Sequence, residues 1–533
     1  LMASSIAKAS SWMALGTIIS RITGVFRSIA VIAAIGFGTF ADAYSIANSL
    51  PTIVYVVVVG GAINSVFVPQ LVRHMKNDKD KGISYTNKLL TLVGLILFSL
   101  TVLAIFLAPF IVNIYAPSSW DAKTFEQSVF FARLLLPQIF FYGLYTVLQQ
   151  VLNSKSHFAL PMFAPILNNL VMITTAILFI FVSKDNLETN TYSSSDMTIL
   201  GVGTTLGVML QAISLIPALK LINYKFSLDF KFKKAGLTTA GHLAFWTIGY
   251  VIVNQITYAF ITRLAASANT LENSVGFTSY QNAFLTFILP HSVIAVSVVT
   301  ALLPKFSDMA NSIQINKLSN SINRASLSLI NLLLPISVIM FFIGQPLAQI
   351  LFARGAATIT EARSTGFLLS IFVIGLVPFS LFYLLLRGFY ALEDTRTPFF
   401  INIVLNLINL SVAIYCFNAF SNELKVAGLV VGYVASYLIT TPILWLFLSR
   451  KGLNLKTSLF IKDALKPIFA SFLVFLVLYL MGKYITLFVS SDSLLTSLWQ
   501  VIIWGISGSV LYFVLSLFLG INLIKDFASK ILK

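Results

Sequence analysis

Long apolar stretches recur along the whole chain and are the feature that most limits what it can fold into. Fourteen of them, each roughly 20 or more residues long, are sufficient to cross about 30 Å of hydrocarbon. A backbone in lipid must satisfy its own polar groups, and these stretches lack the alternation of barrel strands, so each is predicted to be a helix. The stretches are 9–35, 43–70, 88–115, 127–153, 159–183, 197–220, 238–264, 274–303, 320–349, 364–391, 397–419, 424–448, 464–487 and 495–521. The predicted fold is an all-α polytopic membrane protein with 14 transmembrane helices.

The composition excludes an ordinary soluble domain. Of 533 residues, 58% are hydrophobic and only 10% are charged, whereas a soluble domain has about 25% charged residues. The single cysteine, Cys416, excludes an internal disulfide, and the four histidines do not have the spacing of metal ligands. The sequence contains no nucleotide-binding loop and no soluble catalytic module. We therefore predict a protein that is not an enzyme and that has no cofactor or bound metal.

Lysine and arginine residues are concentrated in alternate loops, and this distribution accounts for the net charge of +17. The positive-inside rule predicts that the basic loops are cytoplasmic, which places both termini in the cytoplasm, as an even number of helices requires. The surplus charge favours membrane lipids as partners, and we expect no nucleic-acid partner.

An internal repeat divides the chain. Residues 149–170 (QQVLNSKSHFALPMFAPILNNL) match residues 386–407 (LRGFYALEDTRTPFFINIVLNL), with Asn169 aligned to Asn406. The repeat predicts two six-helix lobes related by a pseudo-two-fold axis along the membrane normal. The predicted units are an N-terminal lobe (1–225), a C-terminal lobe (226–455), and two additional helices with a short cytoplasmic tail (456–533).

The same repeat places a proline at one point of the second helix of each lobe. The tetrapeptide NSLP ends at Pro51 and FILP ends at Pro290. These two motifs mark the second helix of each copy.

Two arginines inside the first apolar stretch are the strongest functional signal. A charge at membrane depth costs at least ~2.5–3.5 kcal/mol, and Arg21 and Arg27 lie about 9 Å apart along an ideal helix. They therefore occupy different depths, and we predict that they line a cavity and are countered by Asp42 or by an anionic ligand. Because they lie roughly 120° apart around the helix, they share a lumen only if it is wide or if the helix bends, as at Gly24.

Other polar residues of the spans are interpreted less specifically. Arg133 lies within a predicted span, and for Arg263 and Arg387, near span ends, we favour side chains that extend to the interface. His291 is either a proton carrier in the lumen or, as we favour, a histidine packed between helices.

The sign of the charges indicates an anionic ligand. Apart from Asp42, the predicted spans contain essentially no acidic residue away from a loop, whereas exporters of cationic drugs need buried carboxylates. Arginine pairs well with phosphate oxygens, which suits a phosphorylated substrate. Asn48, Ser49 and Asn64 of the second helix are candidate lumen donors, with hydrogen bonds between helices as the alternative.

These residues resemble the MurJ/MviN family of lipid II flippases, within the multidrug/oligosaccharidyl-lipid/polysaccharide exporter superfamily. The motifs that carry the resemblance are SRITGVFR, ADAY, SLP, FVPQL and RGFYALEDTRTPF, the last at 387–399. The segment TSYQNAFLTFILPHSVIAVSV is most similar to actinobacterial members. The resemblance runs from about residue 5 to 450, and 14 spans distinguish this family from its 12-span relatives.

The resemblance implies a flippase in the bacterial plasma membrane. Its substrate would be lipid II, the undecaprenyl-pyrophosphate-linked disaccharide-pentapeptide, moved from the inner to the outer leaflet for peptidoglycan synthesis by alternating access. By motif the substrate-binding residues map onto Arg21, Arg27 and Asp42, and the lipid tail onto a groove in 464–521. We expect a monomer that works with the cell-wall synthesis machinery, driven by a sodium gradient or by the membrane potential.

Two departures from the family pattern concern its charged groups. Some members have a further arginine just after the LP motif, where this chain has Tyr55, and another in the eighth helix, which is uncharged here. In place of the acids with which some members bind sodium, this chain offers Asn402 and Asn406 as the candidate ion site, with Asn409 one turn on.

Four alternative functions share part of this pattern. A flippase for another polyprenyl-pyrophosphate-linked glycan shares the substrate handle, and a multidrug antiporter of the same superfamily shares the fold. A glycosyltransferase would need a catalytic carboxylate near the membrane face, where only Asp42 lies. A structural scaffold would not need buried arginines.

Overall fold

The regular secondary structure is helical throughout the part of the chain that the structure, a computed structural model, describes. The described residues are 2–57, 82–155, 157, 159–183, 192–222, 224, 226–230, 241–453, 455–488 and 493–521. The α-helices are α1 (Met2–Ile35), α2 (Thr39–Tyr55), α3 (Ile83–Phe106), α4 (Ala108–Tyr115), α5 (Ala122–Leu135), α6 (Gln138–Ser154), α7 (Ala159–Val182), α8 (Ser194–Ile213), α9 (Gly241–Ala268), α10 (Phe277–Pro290), α11 (Val296–Asn311), α12 (Ile315–Phe352), α13 (Ile359–Phe372), α14 (Leu376–Ala391), α15 (Arg396–Ala419), α16 (Lys425–Arg450), α17 (Thr457–Phe488) and α18 (Leu494–Phe518).

Twelve helical segments of the described residues are long and apolar enough to cross a membrane, judged by length and composition. The predicted all-helical, membrane-spanning architecture is therefore confirmed, whereas the predicted number of 14 spans is not. The second predicted span continues into residues 58–70, which lie outside the described residues. The seventh forms the helix α9, which is not among the twelve.

The chain forms two compact units. The first comprises Leu1–Thr270 with Arg354–Ala356, and the second comprises Leu271–Ala353 with Ala357–Lys533. The boundary between the two lobes at residue 225 was predicted from the sequence repeat. The division into compact units does not test that repeat, so the boundary stays a prediction.

In the first unit, α1 packs along α7, and α7 packs against α8. Small residues allow this close approach: a Cβ on Gly16 would lie 3.2 Å from Met162 Cβ. Asn169 joins α7 to α1, because its Nδ2 donates to the Ser20 carbonyl at 3.0 Å and to Thr23 Oγ1 at 2.9 Å. The helix that carries both predicted arginines is thus fixed by a buried amide in its central turns.

In the second unit, α15 packs along α16, and α12 packs against α13, α17 and α18. Ala470, Val474 and Leu478 of α17 form a buried cluster with Trp504 and Tyr512 of α18. The hydroxyl of Tyr512 donates to the Asn331 carbonyl of α12 at 2.9 Å. The last two helices are therefore anchored on α12 by an apolar cluster and a hydrogen bond.

The second helix of each predicted lobe contains a π-helical turn. In α2 this turn follows Pro51 and begins at Val56. In the second unit α10 ends at Pro290 and continues as the π-helical turn His291–Ala295. Both turns lie on the C-terminal side of the proline.

Asp394 stabilises the start of α15 at the end of a candidate span. Its carboxylate accepts from Thr397 N at 2.9 Å and Thr397 Oγ1 at 2.7 Å, and it pairs with Lys451 Nζ at 2.9 Å. Burial opposes the charged form, but the bonds from Thr397 and the Lys451 ammonium together lower the pKa of Asp394 below its usual value.

We expect Asp394→Ala to destabilise the second unit by about 1 kcal/mol at neutral pH, the typical cost of removing a side chain that accepts from the first turn of a helix. A carboxyl whose folded pKa is lowered stabilises the protein above its unfolded pKa of about 3.9, and that contribution is lost as the pH falls through the folded value. The difference in melting temperature between the wild type and the variant should therefore shrink below about pH 4. A difference that stayed constant from pH 7 to pH 3 would contradict this role.

Candidate functional site

The helix α1 runs unbroken through Gly24 and carries Arg21 and Arg27. Arg21 is exposed, whereas Arg27 is half-buried. Neither guanidinium forms an ion pair with a carboxylate of the described residues. Because an unpaired charge within a span is costly, Arg27 in particular needs another compensating group.

Arg27 interacts electrostatically with two tyrosine hydroxyls, those of Tyr44 on α2 and Tyr142 on α6. The Tyr44 hydroxyl lies 2.9 Å from Thr204 Oγ1 of α8, and the Tyr142 hydroxyl donates to Gln138 Oε1 at 3.1 Å. Each of these tyrosine hydroxyls is therefore held in place by a hydrogen bond to a neighbouring side chain.

A series of hydroxyl side chains extends from this point along α2 and α6, and we name it the hydroxyl ladder. The Tyr55 hydroxyl donates to Thr146 Oγ1 at 2.9 Å, and the Tyr142 side chain is hydrogen-bonded to Thr52. Successive members on one helix are three to eight residues apart, which places them on one side of that helix. The ladder comprises Tyr44, Thr52, Tyr55, Tyr142 and Thr146.

Asn48 lies within this series, one turn from both Tyr44 and Thr52. Its side chain is half-buried and has no hydrogen-bond partner among the residues that the structure describes. An amide there can donate to an oxygen of a ligand and can accept from a hydroxyl. The predicted role of Asn48 as a donor is compatible with this position, and Asn64 lies outside the described residues.

Apart from Tyr55, the members of the hydroxyl ladder were not predicted from the sequence. The signal was present, because Gln138, Tyr142 and Thr146 follow one another at intervals of four residues in the mainly apolar first half of α6. A polar stripe of this kind on a transmembrane helix faces protein or a polar lumen rather than lipid.

Asp42 does not counter the arginines. It is fully buried in the first turn of α2, and its Oδ2 accepts from Asn269 Nδ2 at 2.9 Å. Asn269 also donates to the Phe37 carbonyl at 3.1 Å. A carboxylate near a helix N-terminus is favoured by the helix dipole. Of the two predicted countercharges for Arg27, an anionic ligand remains.

The candidate ion site lies in the second unit on α15. Asn402 and Asn406 are buried, and Asn406 Nδ2 donates to the Asn402 carbonyl at 2.8 Å and to its Oδ1 at 3.1 Å. One turn on, Asn409 Oδ1 is buried without a hydrogen-bond partner in the described part of the chain. The same part contains no group of histidine, cysteine or acidic side chains that could hold a metal ion. A sodium site built from these amide oxygens stays a prediction.

Two further polar residues of the second unit, His291 and Arg387, contact neighbouring side chains. His291 is buried, and its Nδ1 lies 2.9 Å from Ser380 Oγ. The guanidinium of Arg387 stacks over the rings of Tyr383 and Tyr390, 4.6 and 5.6 Å from their centroids. These contacts agree with a histidine packed between helices, and they hold Arg387 by cation–π interactions.

Among the hydroxyls of the ladder, Tyr142 is the one whose removal we expect to weaken ligand binding most clearly. Tyr142→Phe keeps the ring and removes one donor facing Arg27, so the dissociation constant of an anionic ligand should rise by about three- to tenfold, equivalent to about 0.5–1.5 kcal/mol. Tyr415→Phe, which removes a hydroxyl from an exposed tyrosine of α15, is the matched control and should bind as the wild type. Equal affinity of both variants would exclude Tyr142 from the site.

A protein-family model described as lipid II flippase MurJ matches residues 31–518. The chain is 29% identical over 402 residues to a probable lipid II flippase MurJ of Buchnera aphidicola subsp. Baizongia pistaciae, covering 73% of this chain and 74% of that protein. It is 25% identical over 453 residues to the probable lipid II flippase MurJ of Haemophilus influenzae, covering 81% and 84%.

Solved structures share the fold. A structure described as lipid II flippase MurJ in an inward closed conformation superimposes with a TM-score of 0.72 at 22% identity, over 95% of this chain and 98% of that chain. An inward-facing multidrug resistance MATE family transporter of the MOP superfamily gives a TM-score of 0.59 at 15% identity, over 83% and 99%. Because the family model covers most of the sequence, the chain belongs to the lipid II flippase MurJ family.

Proposed function

We propose that this chain is a lipid II flippase, which carries the undecaprenyl-pyrophosphate-linked disaccharide-pentapeptide from the inner to the outer leaflet of the bacterial plasma membrane. Membership of the family over residues 31–518 is the observation that carries the proposal. The chemistry of the first unit supports it, because Arg27 faces hydroxyl donors and has no acidic partner among the described residues.

The pyrophosphate is the part of the substrate that Arg27 recognises. Its guanidinium presents a planar fork that matches two phosphate oxygens, and the Asn48 amide of α2 supplies an uncharged donor. Arg21 is more exposed and lies about 9 Å along the helix towards the N-terminus. We assign to Arg21 the first capture of the headgroup and to Arg27 its retention.

Tyr55 stands where some family members have an arginine, so this chain binds the headgroup with fewer charges. The Tyr55 hydroxyl is held by Thr146 at 2.9 Å and belongs to the hydroxyl ladder. Hydroxyls on one side of two helices suit the many oxygens of a disaccharide, since each can both donate and accept. The proposed division is that arginine binds the pyrophosphate and that the ladder binds the sugars.

Transport proceeds by alternating access and involves no covalent step. Moving one negative charge outward across an inside-negative membrane yields about 2.3 kcal/mol per 100 mV, so the headgroup's own charge can use the membrane potential. A sodium ion held by Asn402 and Asn406 is the second candidate source of energy. Both termini lie in the cytoplasm, and the working form is a monomer that acts with the cell-wall synthesis machinery.

Native mass spectrometry of the purified protein tests the substrate directly. Lipid II, undecaprenyl phosphate and a cationic dye are offered in competition. We expect selective retention of lipid II, weaker retention of undecaprenyl phosphate, and no retention of the dye, because the charged groups facing the site are cationic. Preferential binding of the dye would favour the multidrug antiporter. Equal binding of lipid II and of another polyprenyl-pyrophosphate glycan would contradict specificity for the peptidoglycan precursor.

A further inference from the structure

An extended segment of the first unit is held against the start of α3. It follows the 3-10 turn Pro217–Ile222 and comprises residues 226–230, which we name the strap. Asn87 of α3 donates from Nδ2 to Ser227 Oγ at 2.8 Å and accepts from Ser227 N at 3.3 Å. The Tyr224 hydroxyl also donates to Asn87 Oδ1. Thr91, one turn further along α3, accepts from Asp229 N at 3.1 Å through its Oγ1.

These bonds fix the direction of the strap as well as its position. From Ser227 to Asp229 an extended chain advances about 6.6–6.8 Å, and from Asn87 to Thr91 a helix rises about 6 Å. The two distances match, so the strap runs along the axis of α3 with two of its amide groups satisfied by α3 side chains.

Successive side chains of an extended segment such as the strap point to opposite sides. Because Ser227 Oγ accepts from Asn87 Nδ2, the side chain of Ser227 faces α3, and in an extended chain the residues one or three positions from it point the opposite way. Those residues are Phe226, Leu228 and Phe230, which are 52%, 66% and 60% exposed. Three large apolar side chains therefore project from one side of a non-helical segment.

The surroundings indicate which kind of surface covers them. Asn87 and Thr91 lie in the first turns of a candidate membrane span, Ile83–Phe106, so the strap is level with the end of that span. A non-helical chain is not stable in contact with hydrocarbon, whereas at the headgroup level water and lipid headgroups can satisfy its backbone. The sequence from 220 to 234 contains five lysines and a single acidic residue, Asp229, and anionic lipids of the cytoplasmic leaflet attract such a segment.

We propose that the strap is a membrane-surface anchor that binds a bilayer containing anionic lipids. Phe226, Leu228 and Phe230 enter the headgroup region, and the flanking lysines select for anionic headgroups. The apolar and polar residues alternate in the sequence from Phe226 to Phe230, the pattern of a segment with one face in lipid and one in water. The anchor is independent of which substrate the protein moves.

Site-directed spin labelling of the full chain tests the anchor. Cys416 is the only cysteine, so in a Cys416→Ala background a nitroxide is attached in turn to each residue from 226 to 230. The proteins are reconstituted into vesicles of phosphatidylethanolamine with phosphatidylglycerol and, in parallel, of phosphatidylcholine alone. Accessibility to oxygen, which partitions into lipid, is compared with accessibility to a water-soluble nickel chelate. Only labelled proteins with the melting temperature of the background are included.

We expect the ratio of oxygen to nickel accessibility to be high at 226, 228 and 230 and low at 227 and 229. The high values should fall when phosphatidylglycerol is omitted, since the lysines then lose their partners. Uniformly high nickel accessibility at all five positions would overturn the proposal, because it would place the strap in water. An alternating profile that is identical in both lipid mixtures would overturn the recognition of anionic headgroups. Low accessibility to both reagents would indicate a covering protein partner instead of a bilayer.

Discussion

Arg27→Ala should abolish the ability of this protein to replace a depleted lipid II flippase, while the protein still inserts into the membrane in normal amounts. Arg27 is half-buried between hydroxyls and has no acidic partner in the described part of the chain. No carboxylate of the described residues therefore pairs with Arg27, so removing its charge leaves none of them without a partner. Truncating a charged partner of a buried ion contact typically costs about 2–5 kcal/mol, which is roughly thirtyfold or more in affinity.

Two further variants separate charge from geometry. Arg27→Lys keeps the charge but loses the planar fork, so we expect partial complementation and weaker retention of lipid II in native mass spectrometry. Arg21→Ala should also fail to complement, with a smaller loss of affinity, because its side chain is exposed. Arg133→Ala is the matched control, since it removes an exposed arginine from the last turn of α5 and should complement fully. Full complementation by Arg27→Ala would remove this arginine from the site.

The apolar stretches predicted most helices closely because lipid allows few other structures. The stretch 159–183 appears as Ala159–Val182, and 397–419 appears as Arg396–Ala419. The stretches that differ contain proline: 88–115 is divided at Leu107, before Pro109, and 127–153 is divided around Pro137. Proline removes a backbone donor without making the sequence less apolar, so a prediction from hydropathy does not register the break.

The candidate site was predictable only in part, because it depends on which helices face each other. The position of Arg27 inside a span was visible in the sequence, and so was the polar spacing of Gln138 and Tyr142. Their meeting required the packing of α2 against both α1 and α6, which no local pattern specifies. Asp42 shows the same limit, since its partner Asn269 is 227 residues away along the chain.

The double variant Asp42→Ala/Asn269→Ala should be little less stable than either single variant. Asp42 is fully buried, and removing either partner leaves the other without a hydrogen bond of 2.9 Å. A hydrogen bond to a charged group contributes about 1.5–3 kcal/mol, so each single variant should melt several degrees lower. Since both singles break the same bond, their effects should not add, and a double-mutant cycle on the melting transition should give a coupling energy of about 0.5–3 kcal/mol. Thr270→Ala, which removes only a local bond to the Ser267 carbonyl, is the control and should be close to the wild type.

Transport then distinguishes positioning from direct contact with the substrate. The bond from Asn269 fixes the start of α2, the helix that carries Tyr44 and Asn48. If Asp42 acts through that helix, Asn269→Ala and Asp42→Ala should reduce lipid II binding to a similar extent, because both release the same end of α2. If Asp42→Ala abolished binding while Asn269→Ala bound as the wild type, Asp42 would have to act through a contact other than the one with Asn269. Similar losses in both variants would mean that the aspartate of the ADAY motif is needed for the placement of α2 beside Arg27, and that the binding charge of this site is entirely positive.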